Sequence, residues 1–99
     1  MHARAITVKI AQTQSDTAIA HLETLIDELK MNKGLRDVYV LVDRARGELM
    51  TFTVWDSEED LQASLGFARE AFGQISTMTV GDPVIKMMEV AIHESSVPA

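Results

Sequence analysis

The sequence predicts an α+β fold, a four-stranded antiparallel sheet with two helices on one of its faces, and three observations carry that prediction. Residues 35–60, LRDVYVLVDRARGELMTFTVWDSEED, contain two β-runs joined by a short Arg/Gly turn and end in a helix start. Upstream, an alternating run precedes a stretch of helical periodicity; downstream, a helix precedes a last apolar run. The hairpin is apolar on both faces, with Val38, Val40 and Val42 alternating with Tyr39 and Leu41, and Leu49, Thr51, Thr53 and Trp55 with Met50, Phe52 and Val54. A small sheet with two dry faces covers one with its own helices and the other with something else.

In residues 4–11 the side chains alternate, Ile6, Val8 and Ile10 against Ala5, Thr7 and Lys9, which predicts the first, half-buried strand. Ser15 or Asp16 is then expected to cap a helix whose apolar stripe is Ala18, Ile19, Leu22, Leu25, Ile26 and Leu29. Lys30, Lys33 and Gly34 mark its end, since basic groups suit the negative end of the helix and Gly34 can take the left-handed conformation. The turn 43–47 fits a type I loop in which Gly47 supplies the positive φ. Ser57 is the expected cap of the second helix, 57–73, because Glu58, Glu59 and Asp60 follow it on the first-turn amides. Leu61, Leu65, Ala68 and Phe72 form its buried face, with Gly73 as its stop and Gly66 in mid-helix. Residues 74–82 read as a loop, and 84–93, following the Gly81-Asp82-Pro83 punctuation in which Pro83 is acceptable at a first strand position, as a last strand apolar on both faces. Residues 94–99 read as a frayed tail.

Ninety-nine residues predict one domain, 1–99, near the size at which a single core suffices. The formal net charge of -6, with no local Lys/Arg cluster, argues against nucleic acid as a partner. The chain has no cysteine, which excludes disulfides, thiolate-held clusters and cysteine nucleophiles. No apolar run approaches the roughly 18 residues of a membrane span, and the first residues lack the apolar stretch of a secretory signal, so no membrane partner and a cytoplasmic location are expected.

The order β-α-β-β-α-β is the split-βαβ, ferredoxin-like plan, and right-handed crossovers place both helices on one face of the sheet. On three stretches the chain resembles the antibiotic biosynthesis monooxygenase-like group of the dimeric α+β barrel superfamily: the hairpin with DRARGEL at its turn, the run TFTVWDSEEDLQAS, and the final VIKMMEVAI. The resemblance implies a homodimer formed through the open sheet face and a small apolar or aromatic ligand held between sheet and helices. Haem-degrading members of the superfamily use an Asn on the first strand with a Trp and a His on the second helix. Here residues 4–11 contain no Asn and 57–73 neither Trp nor His, so that activity does not carry over.

Trp55, the one tryptophan, reads either as a pocket wall or as a core anchor at a strand–helix junction. Phe72, Tyr39 and Met88 are the other candidate pocket residues. His2, His21 and His93 lack partners at metal-ligand spacing, so no metal and no cofactor are expected. His21, beside the apolar stripe of the first helix, is the candidate general base. The resulting expectation is a cofactor-independent monooxygenase-like oxidoreductase acting on a small aromatic or quinol-type compound. Its chemistry would rest on the substrate's own electron-rich anion reacting with dioxygen in a dry pocket. The alternative is a non-catalytic small-ligand-binding or dimerisation module of the same fold.

Overall fold

The computed structural model describes residues 1–97; Pro98 and Ala99, the end of the expected tail, lie outside the described residues. The chain runs β1 (His2–Ile10), α1 (Ser15–Lys30), β2 (Leu35–Asp43), β3 (Glu48–Trp55), α2 (Glu58–Ala63), α3 (Leu65–Gln74) and β4 (Thr79–Glu89). The strands form one sheet in the order β2-β3-β1-β4, antiparallel at every junction, which is the predicted βαββαβ topology. The alternation of β1 sets the core. Ile6, Val8 and Ile10 point to the helices and pack with Leu49, Ala18, Leu22, Ala68 and Ile75. No helix among the described residues is long and apolar enough to cross a membrane.

Two glycines make the turns as expected. Gly34 (φ +83) returns the chain from α1 to β2, and a side chain there would also run into the Asp60 carboxylate. Gly47 (φ +65) closes the hairpin, its carbonyl accepting from Ile10 N–H at 2.8 Å. Ser57 caps α2 by accepting the Asp60 N–H at 3.1 Å, a bond of the kind that stabilises a helix by about 1 kcal/mol.

Three local expectations are corrected. Neither Ser15 nor Asp16 caps α1: a 3-10 turn at Gln12–Gln14 leads directly into the helix, and Ser15 already has helical dihedrals with its side chain buried. The second helix is not one rod ended by Gly73. It breaks at Ser64 and runs through Gly73 to Gln74. The break has a chemical cause, because Leu61 O accepts from Ser64 N–H at 3.2 Å, from Ser64 Oγ at 2.7 Å and from Arg4 Nη1 at 3.4 Å, and a carbonyl so occupied tightens the local turn. Gly66 has no neighbour within 4 Å of where a Cβ would stand, so no close packing explains it.

The third correction concerns β4, which spans Thr79–Glu89 rather than 84–93. Lys9 faces Val80 while Thr7 faces Val84, so Gly81, Asp82 and Pro83 oppose Val8 alone and form a bulge, with Gly81 at φ +77. An edge strand tolerates a bulge and a proline, which has no N–H to give. The strand ends where its partner does: Val90 N–H reaches Met1 O at 2.9 Å, and β1 begins at His2.

The second sheet face has no cover among the described residues. Tyr39, Leu41, Val84 and Met88 are 54%, 51%, 56% and 54% exposed, and Tyr39 makes a tilted ring pair with Phe52 at 6.3 Å. This is the second dry face that the hairpin pattern predicts.

Candidate functional site

Between the inner sheet face and the helices lies a cavity of about 50 Å³. Its walls are Ile6 of β1, Leu22, Leu25, Ile26 and Leu29 of α1, Val38 and Val40 of β2, and Phe67, Ala68, Ala71 and Phe72 of α3. Three polar side chains interrupt them: Arg4, Thr51 and Thr53. A wider groove of about 610 Å³ runs between α3 and β4, past Leu65, Arg69, the bulge residues Gly81 to Pro83, Ile85 and Met87. The two spaces share Ile6, Ala68 and Phe72 as lining. Small-molecule sites usually enclose about 300–1,000 Å³. The inner cavity has the chemistry without the room, and the groove has the room.

Among the described residues, Arg4 is the one charged residue in the inner lining. It is 3% exposed and lies in phase with Ile6, Val8 and Ile10 on the buried face of β1. Its Nη1 donates to Ser64 Oγ at 2.9 Å and to Leu61 O at 3.4 Å. Its Cζ stands 5.5 Å from the Trp55 ring centroid, within range of a cation–π contact. Burial pulls its pKa below the ordinary arginine value. No carboxylate among the described residues lies at ion-pair distance from it.

The residues singled out in the sequence separate in space. Phe72 lines both the cavity and the groove. Trp55 lines neither: it is fully buried, its Nε1 donates to Thr53 Oγ1 at 2.9 Å, and its ring carries Arg4. That is the core-anchor geometry. Tyr39 and Met88 lie on the uncovered sheet face, away from the helices. His21 stands at the rim between α1 and α3 with its Nε2 2.7 Å from Gln74 Oε1, and it is not part of the lining, so the expected base does not border the cavity. The residue that sequence reasoning passes over is Arg4, although its signal is there: a cation in phase with Ile6, Val8 and Ile10 on β1.

No protein-family model matches the chain. Two uncharacterised proteins of Mycobacterium tuberculosis strains, MT2634 and Rv2557, are each 27% identical to it over 92 residues, 92% of this chain and 41% of theirs. The chain thus spans about two fifths of the length of the curated relatives it matches. Among solved structures, a protein of unknown function from Nitrosomonas europaea, NE2512, superposes with a TM-score of 0.81 at 17% identity, over 99% of this chain and 94% of that one. An antibiotic biosynthesis monooxygenase superposes with a TM-score of 0.76 at 14% identity, over 93% of this chain and all of the other. The chain therefore has the ferredoxin-like fold of antibiotic biosynthesis monooxygenase-like structures.

Proposed function

We propose that the chain is a monooxygenase-like enzyme for a small aromatic or quinol-type compound, working without a metal or bound flavin. The observation that carries this reading is the apolar cavity under the sheet, with a buried cation in its lining, beside a groove of about 610 Å³ with which it shares Ile6, Ala68 and Phe72. Dioxygen is the oxidant: the bound compound, once deprotonated, transfers electrons to it, one oxygen atom enters the product and the other leaves as water. Such a reaction asks the protein for a dry site and for stabilisation of the substrate anion, and it does not need a nucleophile.

The working unit in this reading is a homodimer. Tyr39 and Leu41 on one edge strand and Val84 and Met88 on the other are exposed apolar residues of the uncovered sheet face, and a second copy of the same face is its complement.

One observation favours the non-catalytic alternative, a small-ligand-binding module: among the described residues, the cavity lining contains no carboxylate, histidine, tyrosine or cysteine to act as a base. Oxygen uptake decides between them. With a panel of hydroquinones and polycyclic phenols and a chelator present, the enzyme reading predicts consumption of dioxygen in proportion to protein. Binding without uptake across the panel is the result expected of the module.

A further inference from the structure

We propose that Arg4 is the anion-receiving group of the cavity, so that a compound whose body lies in the neighbouring groove and whose head enters the cavity carries one negatively charged oxygen there, as a phenolate, enolate or small aromatic carboxylate does. The inference rests on the cavity being the ligand site, as the proposed function has it, and adds the charge that the ligand must carry.

A guanidinium is rarely buried without a counter-charge, because removing it from water costs several kcal/mol that a carboxylate normally offsets. Arg4 at 3% exposure has only neutral partners, the Ser64 hydroxyl, the Leu61 carbonyl and the face of Trp55. Its cross-strand neighbours, Thr53 on β3 and Met87 on β4, are neutral too. On its own strand face His2 is directed elsewhere, its Nε2 standing 3.8 Å from Glu58 Oε2. Every ion pair among the described residues involves other cations.

The hydrogen bonds also leave one side of the group free. Both run from Nη1, so Nε–H and the two Nη2 protons have no protein acceptor among the described residues. Arg4 is also one of the residues that line the cavity. A guanidinium held by Nη1 presents its remaining N–H groups as a fork suited to one or two anionic oxygens. The chain's net charge of -6 repels anions at long range, so selectivity for one must come from a local group such as this.

The test compares a charged and a neutral probe of one shape, benzoate and benzamide, and follows the titration of 4-nitrophenol by absorbance. The wild-type chain should bind benzoate more tightly than benzamide. It should also lower the pKa of bound 4-nitrophenol by roughly 1–3 units, the effect of an opposite charge a few ångströms away. Arg4→Met should weaken benzoate binding roughly 10–100-fold while leaving benzamide nearly unchanged, and Arg4→Lys should fall between. The wild-type comparison needs no variant, so it holds even if Arg4→Met fails to fold. Equal binding of benzoate and benzamide, an unshifted 4-nitrophenol titration, or no binding of any probe overturns the proposal. If binding is indifferent to charge while quinol-dependent oxygen uptake persists, the enzyme reading stands and Arg4 has only a structural role. If anions are preferred without any oxygen uptake, the role of Arg4 stands and the oxygenase reading falls.

Discussion

Replacing Trp55 with alanine is expected to destabilise the fold by about 3–5 kcal/mol, the usual range for deleting a large buried aromatic side chain. The ring is fully buried where β3 leads into α2, so its removal leaves a void that its neighbours on two elements cannot easily fill. Two further losses add to the void. Thr53 Oγ1 loses the indole donor at 2.9 Å, and Arg4 loses an aromatic face of a kind that supports a cation by about 0.5–2 kcal/mol. A guanidinium denaturation curve measures the effect. A midpoint change equivalent to less than about 1 kcal/mol, typical of a surface substitution, would remove Trp55 from the role of core anchor.

The other large effect concerns association. A chain with this open sheet face should have twice the chain mass by light scattering at micromolar concentration. Leu41→Asp or Val84→Asp should reduce it to the single-chain mass. Both side chains are about half exposed in the protomer, at 51% and 56%, so an aspartate there costs the isolated fold little. In a paired sheet the same substitutions bury charges without partners, on both copies at once, which costs several kcal/mol. A wild-type chain that scatters as a monomer, or variants that remain dimeric, would show that this face is not the interface.

Most of the architecture is legible in the sequence because it depends on short-range patterns. The two-residue period of β1, the paired runs around Gly47, and the Ser57 cap followed by three acids each specify an element through neighbours in the chain. What the pattern misses depends on partners far away. The break at Ser64 exists because Arg4, 60 residues earlier, reaches its hydroxyl and the Leu61 carbonyl. Gly81, Asp82 and Pro83 carry the local marks of a loop, and only the ladder to β1 makes them a bulge within a longer strand.

The candidate site was less legible for the same reason. Aromatic residues invite assignment to a pocket, yet Trp55 is core and Tyr39 belongs to the open face, while Phe72 alone of the aromatic candidates reaches the cavity. The polar group that distinguishes the cavity is an arginine whose significance depends on having no acid beside it. A sequence does not display the absence of a partner.

A crystal structure grown anaerobically with 1,4-dihydroxynaphthalene, so that the compound is held without reacting, tests most directly whether the cavity and groove bind a quinol at Arg4. Electron density for its rings is expected beside Phe72, between the inner sheet face and α3, with one oxygen directed toward Arg4. Density confined to the uncovered sheet face around Tyr39 and Met88, or none at the cavity under saturating compound, would contradict it.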